Sequence, residues 1–195
     1  MSLAAIILAG GQSSRMGQDK ALIPVHGVPL LRHVCDVAAE CTSEIYVVTP
    51  WPQRYRELLP PSCRLVQERP LHPDIQPQGP LVGFAQGLGQ VKADWTLLLA
   101  CDLPRLRAEV LQDWARQLDS VPESAIAFIP QHAKGWDPLC GFYRRSCLPL
   151  LNAFVGRGGR SFQRWLDRNE VHPIPDPDKS MLFNCNTPSD LAALS

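Results

Sequence analysis

No run of apolar residues in this sequence approaches the roughly 20 that a membrane-spanning helix needs. The N-terminus carries no basic segment ahead of its short apolar stretch, which argues against a signal peptide. Charge of one sign is missing too: 19 lysines and arginines balance 19 aspartates and glutamates, so no basic field invites a nucleic acid. The seven cysteines are odd in number and scattered, and no Cys-x-x-Cys pair occurs, which argues against zinc and against a disulfide framework. The five histidines show no ligand spacing. Neither G-x-x-x-x-G-K-[ST] nor G-x-G-x-x-G is present, so the two commonest phosphate loops are absent. These absences lead to the expectation of a soluble cytoplasmic protein with no nucleic-acid partner and no membrane attachment.

Proline, by contrast, is abundant at 19 residues, about twice ordinary usage, and its dispersal among apolar runs points to stiff loops rather than disorder. A length of 195 residues suits one domain with a full-sized core. Buried-type strands are predicted at 4–8, 45–49, 64–66, 95–100, 125–129 and 138–143, from short apolar runs bounded by turn formers. Helices are predicted at 30–41, 54–59, from Pro80 onward, and at 107–118, 148–155 and 162–166. Strands alternating with helices predict a three-layer α/β/α fold, a Rossmann-like, mostly parallel sheet with helices on both faces. No linker or repeat divides the chain, which reads as a single domain over 1–195. Within it a first half covers about 1–105 and a second half about 106–195.

The first strand ends in Ala9-Gly10-Gly11-Gln12-Ser13-Ser14-Arg15, with Lys20 close behind. Glycines without Cβ atoms let a ligand approach the backbone, and successive N–H groups can cradle phosphate oxygens. Arg15 and Lys20 add positive charge to the same loop. On the glycines alone, a solvated glycine turn explains the segment equally well. The strand at 95–100 ends at Asp102. In open α/β sheets ligands gather beyond the carboxyl ends of strands, so Asp102 and the glycine loop share one edge. A lone aspartate there commonly caps a helix. Beside a phosphate loop it becomes a Mg²⁺ ligand, because Mg²⁺ takes one or two carboxylates together with substrate phosphates. Gly156-Arg157-Gly158-Gly159-Arg160 reads either as a second anion site or as a solvated connection between helices. Near the C-terminus, Thr187, Pro188 and Asp190 fall at the cap, first and third positions of a final helix, a capping box. Asn184 and Asn186 project to one face of the extended segment before it, and Cys185 to the other.

The run Leu8-Ala9-Gly10-Gly11 through Arg15-Met16-Gly17-Gln18-Asp19-Lys20 resembles the signature of the molybdenum cofactor guanylyltransferases, within the nucleotidyltransferases that begin L-A-G-G-x-x-x-R-M-G-x-D-K. Gly27 to Leu31, Gly79-Pro80-Leu81-Val82-Gly83, Cys101-Asp102-Leu103-Pro104, Pro138 to Tyr143 and Asn184 to Leu191 resemble further motifs of that family. The resemblance implies a nucleotidyltransferase-type fold and Mg²⁺-dependent transfer of GMP from GTP to the phosphate of molybdopterin. It implies a nucleotide site of Leu8, Ala9, Gly10, Gly11, Lys20, Thr49, Glu68 and Asp102. Arg15, Lys20 and Asp102 would be catalytic, with Asp102 the metal ligand. Arg160, Asn184 and Asn186 would serve the acceptor, and Gly141 would keep a substrate channel open. Partners would be GTP, the molybdopterin cofactor, and other cofactor-biosynthesis proteins or recipient molybdoenzymes. The chain departs from the pattern after the third strand, where Glu68-Arg69 stands in place of an aspartate. A cytidylyltransferase, a sugar-phosphate nucleotidyltransferase, or a nucleotide-binding module without turnover therefore stay open as alternatives.

Overall fold

The computed structural model describes residues 1–11, 18–71, 79–133, 135–187, 189 and 190. In chain order the strands are β1 (Leu3–Leu8), β2 (Pro24–Val25), β3 (Val28–Pro29), β4 (Ile45–Thr49), β5 (Cys63–Gln67), β6 (Trp95–Ala100), β7 (Ala127–His132), β8 (Gly135–Trp136), β9 (Cys140–Arg144) and β10 (Val171–Ile174). The helices are α1 (Leu30–Cys41), α2 (Pro52–Tyr55), α3 (Pro80–Leu88), α4 (Ala108–Ala115), α5 (Leu148–Gly156) and α6 (Phe162–Leu166). One sheet runs β10-β7-β9-β6-β1-β4-β5, with β8 paired to β7. The pairs β6-β1, β1-β4, β4-β5 and β7-β10 are parallel, and β9 runs antiparallel to both of its neighbours. The three-layer, mostly parallel architecture is thus present. Strands β1, β4, β5 and β6 lie together on one side of the sheet, and β7, β9 and β10 on the other.

Two apolar layers explain why the central strands carry unbroken hydrophobic runs. Ala5 and Ile7 of β1 pack with Leu97 and Leu99 of β6 against Leu31 and Val34 of α1 and Leu111 of α4. Alternate residues, Ala4 and Ile6, face Phe84 of α3, Leu151 of α5 and Trp165 of α6. A strand buried on both faces has no polar side to alternate with. Each fully buried Leu or Ile contributes about 1.5–3 kcal/mol of transfer free energy. Among the described residues no helix is long and apolar enough to cross a membrane, and all seven cysteines are free thiols.

Several predicted elements differ in extent. The helix expected at 54–59 is the single turn α2, followed by turns through Leu58. Its hydrophobic face was short, and Pro52 supplies the first turn instead. The helix expected at 107–118 closes at Ala115, with a 3-10 turn at Leu118–Ser120. The strand expected at 125–129 is shifted to Ala127–His132, and the one expected at 138–143 to Cys140–Arg144. Four short strands were not anticipated. β2, β3 and β8 have two residues each, too few for any periodicity. β10 contains Pro173, tolerated because β10 is an edge strand. Between β2 and β3, His26 and Gly27 both have positive φ (50° and 80°), the backbone of a type I′ hairpin turn.

Two glycines prove to be packing devices. A Cβ on Gly141 would lie 2.5 Å from Ile129 Cγ2 and 3.0 Å from the Phe128 carbonyl oxygen. Gly141 therefore lets β9 close on β7, and it keeps no channel open. On α3, a Cβ at Gly87 would meet Val48 Cγ2 at 2.7 Å. That glycine sets how closely α3 rides on the sheet despite its poor helix propensity.

Candidate active site at the carboxyl edge of the sheet

The ends of β1, β4, β5 and β6 are held level by hydrogen bonds that continue past the strands. Ala9 N–H donates to the Val48 carbonyl (2.9 Å), Cys101 N–H to Leu8 (3.1 Å) and Glu68 N–H to Thr49 (2.8 Å). Gly10, Glu68 and Asp102 are thereby fixed along one edge. The chain moves outward from β1 to β4 and β5, then returns to place β6 on the other side of β1. The glycine turn and Asp102 consequently flank the topological switch point, where open α/β sheets bind ligands.

Lys20 begins a 3-10 turn, Lys20–Leu22, capped by Asp19, whose Oδ1 accepts from Ala21 N–H. Its ammonium donates to Asn186 Oδ1 at 2.5 Å and lies 3.5 Å from Asp102 Oδ2. Three residues separated by most of the chain thus meet at one point. The C-terminal segment is brought there by Cys185. Its N–H donates to the Asp102 carbonyl at 2.9 Å, and its buried side chain packs with Ile23, Val25 and Leu30 beside the β2–β3 hairpin. Asp190 then locks the following turn. Its Oδ2 accepts from Asn186 N–H (2.8 Å) and Thr187 N–H (2.7 Å), while Asp190 N–H donates to Thr187 Oγ1 (3.2 Å). These reciprocal bonds form the predicted capping box. They hold the Asp190 carboxyl below its usual range, the Asn186 N–H contributing most.

Electrostatics distinguish the acids at this edge. Burial pushes the Asp102 carboxyl above the ordinary aspartate value, against the pull of Lys20. Burial also raises Glu68. The Glu68 carboxylate lies against the glycine turn: Oε2 would be 2.9 Å from a Cβ on Gly10 and 3.3 Å from one on Gly83. Both glycines leave room for that carboxylate between the first loop and the start of α3. Among the described residues, no group of three or more His, Cys, Asp or Glu side chains converges as a metal cage. A single carboxylate beside a lysine suits a cation that draws most of its ligands from substrate phosphates and water, as Mg²⁺ does.

The remaining predicted residues divide. Arg15 lies outside the described residues, as do Pro188 and the rest of residues 12–17. Thr49 is fully buried, and its hydroxyl accepts from Trp51 N–H (3.1 Å), so its side chain shapes the turn after β4 and does not line an open pocket. Arg160 turns back on α5: Nη1 donates to the carbonyls of Val155 (2.9 Å) and Gly159 (2.8 Å), the cation at a helix C-terminus that the macrodipole favours. Among the described residues no contact joins it to Asn184 or Asn186. The two asparagines themselves separate in role. Asn186 meets Lys20, whereas Asn184 is exposed and lines a cavity of about 110 Å³ with Leu103, Asp137, Pro138, Leu139 and Leu182.

Sequence reasoning missed the residues that steady Lys20. Tyr55 of α2 donates its phenol to Asp19 Oδ2 at 2.7 Å, and Arg54 lies 3.7 Å from the same oxygen. Burial, reinforced by this bond, pushes the Tyr55 phenol above its usual value. No spacing links Asp19 to Tyr55. The visible signal was an aromatic with a polar tip in a short amphipathic turn.

The sequence of residues 5–172 matches the family model described as the MobA-like NTP transferase domain. The chain belongs to this family. It is 62% identical to the probable molybdenum cofactor guanylyltransferase of Nostoc sp. over 193 residues, 99% of this chain and 90% of that protein. Identity to the probable molybdenum cofactor guanylyltransferase of Synechococcus elongatus is 45% over 195 residues, 100% and 98% of the two chains. The molybdenum cofactor guanylyltransferase of Vibrio cholerae is 32% identical over 190 residues, 96% of this chain and 88% of that protein. In fold, the chain is similar to the crystal structure of molybdopterin-guanine dinucleotide biosynthesis protein A from Archaeoglobus fulgidus. The TM-score is 0.77 at 22% identity, over 98% of this chain and 96% of that one. In this MobA-like NTP transferase the C-terminal asparagine segment meets Lys20 and the Asp102 end of β6 at the carboxyl edge of the sheet.

Proposed function

We propose that the protein transfers GMP from GTP to the phosphate of molybdopterin, forming the guanine dinucleotide cofactor and releasing pyrophosphate. The names of relatives up to 62% identical support the donor and the acceptor. The observation that carries the reading is the meeting of Lys20, Asp102 and Asn186 at the switch point.

In this reading Gly10 and Gly11 admit the nucleotide to the backbone, and Glu68 faces it from the end of β5. A terminal phosphate oxygen of the acceptor attacks the α-phosphorus of GTP, forming the new P–O bond as the α–β bridge bond breaks. The acceptor oxygen is already anionic near neutral pH, so no side chain must remove a proton. The task left to the protein is placement and charge stabilisation. Lys20, oriented by Asn186 and by the Asp19–Tyr55 bond, balances the charge that grows on the departing pyrophosphate. Asp102 would hold Mg²⁺, which supplies Lewis-acid neutralisation of the triphosphate when bound.

The test is incubation with molybdopterin, Mg²⁺ and each of GTP, CTP, ATP and UTP, with chromatography of the dinucleotide product. GTP is expected to be the productive donor. Equal or faster product formation with CTP overturns the guanylyl assignment.

A further inference from the structure

The cavity beside Asn184 lies on the far side of β6 from the glycine turn. Its walls come from Leu103 after β6, the segment entering β9, and Leu182 with Asn184. Among the described residues Asp137 is the one carboxylate in its lining. That wall is held from three directions: Asp137 N–H donates to the Pro130 carbonyl (3.0 Å), Tyr143 OH to Pro138 (2.7 Å), and Ala100 N–H to Leu139 (2.9 Å). Asp137 Oδ1 also sits 3.5 Å from His132 Nε2 at the end of β7. A half-buried carboxylate, fixed at its backbone and steadied at one oxygen, therefore faces a small space with mainly apolar walls.

We propose that Asp137, steadied by His132, reads the amino-pyrimidinone edge of the pterin in the acceptor. That edge presents a ring N–H and an exocyclic N–H side by side. A carboxylate can accept both with its two oxygens, a charge-assisted bidentate pair. Leu103, Leu139 and Leu182 suit the flat ring, and Asn184 adds an amide able to donate and to accept. Guanine carries the same edge, so the donor base is a second source of this chemistry. Topology favours the pterin. The glycine turn and Glu68 gather at β1 and β5, whereas Asp137 lies over β9 and β7, with Asp102 between the two regions. The proposal rests on the acceptor named above, but not on the choice of donor nucleotide.

The test uses 6-hydroxymethylpterin, which fluoresces, and its lumazine counterpart, in which an oxo group replaces the 2-amino group. Both are titrated into the full chain without nucleotide. The wild type is expected to bind the pterin at least tenfold more tightly than the lumazine, and Asp137→Asn to lose at least tenfold in pterin affinity and most of that discrimination. Thermal melts with GTP and Mg²⁺ verify that the variant is folded and its donor site intact. Failure of the wild type to bind the pterin, or equal binding by Asp137→Asn, overturns the proposal. So does displacement of the pterin by GTP together with an equal loss of GTP binding in the variant, since the edge would then be guanine's. A donor other than GTP in the transfer assay would sink the guanylyl reading while leaving these titrations unchanged.

Discussion

Three glycine-to-alanine variants, made singly, separate helix packing from ligand contact. At Gly87 the new Cβ would sit 2.7 Å from Val48 Cγ2 and 3.2 Å from Ile6 Cδ1. Both neighbours are almost wholly buried β-branched residues on the central strands β4 and β1, and stiff side chains of that kind cannot swing aside. Alanine gains about 1 kcal/mol in helix propensity over glycine. Overpacking a tight core costs about 1–3 kcal/mol, and this rigid contact belongs at the upper end. The net loss is then about 1–2 kcal/mol, which at about 2–4 °C per kcal/mol lowers Tm by about 2–8 °C. Gly156, at the end of α5, has nothing within 4 Å of its added Cβ, so alanine there should raise stability by about 0.4–1 kcal/mol. Gly83 is the functional member of the set. Its Cβ would lie 3.3 Å from Glu68 Oε2, the movable tip of a side chain. Its Tm should stay near that of wild type, while the stabilisation given by GTP with Mg²⁺ falls severalfold. Calorimetric melts with and without nucleotide read all three. If Gly87→Ala stabilises as Gly156→Ala does, the helix–sheet contact is not why glycine stands there. An unchanged GTP shift in Gly83→Ala refutes a nucleotide-facing Glu68.

Five further outcomes follow from the same geometry. Because burial raises the folded-state value of Asp102, charging it costs stability at pH above that value and nothing below the unfolded value. Asp102→Asn should thus abolish Mg²⁺-dependent transfer yet melt no lower than wild type at pH 7, any advantage fading below about pH 4; a clear drop in Tm at pH 7 refutes the dominance of burial. Lys20→Ala should cut single-turnover transfer by about 100-fold or more. Asn186→Ala should cost less, because the amine keeps Asp102 as partner, and equal losses would mean that Asn186 itself contacts the reacting groups. Arg160→Ala should lose about 1–3 kcal/mol of stability in urea melts, from its two carbonyl bonds, with KM for molybdopterin unchanged; a raised KM at unchanged stability would restore Arg160 to the acceptor site. Tyr55→Phe removes a bond to a charged acceptor and should lower stability by about 1–2 kcal/mol while slowing transfer, because Asp19 caps the turn that carries Lys20. An unchanged rate would separate that bond from the site.

The local readings that held were those with a short-range physical cause. An unbroken apolar strand followed by two glycines, and a second such strand ending in Asp102, already place both features at strand ends, because parallel strands buried on both faces leave no other pattern. The capping box at Thr187 and Asp190 was likewise legible, since its bonds span only three residues. The two-residue strands and the single turn α2 were not, being shorter than any period they could display. Gly141 misled for a related reason. A glycine in a strand marks a close approach, but only the partner strand reveals whether backbone or ligand approaches.

By itself, the sequence determined the α/β order of elements, the chemistry carried by each loop, and the family to which those loops belong. Tertiary structure alone decided which loops meet. Lys20, Asp102 and Asn186 come together because β6 returns to pair with β1 and Cys185 is buried beside the β2–β3 hairpin, and neither event leaves a trace in spacing. Packing between distant segments also set Asp137 at a cavity no motif announces, whereas Arg160 and Thr49 were turned by bonds to near neighbours, Val155 and Gly159 in one case and Trp51 in the other. Which loops share a site is settled by contacts between residues far apart in the chain, and a linear pattern records only near neighbours.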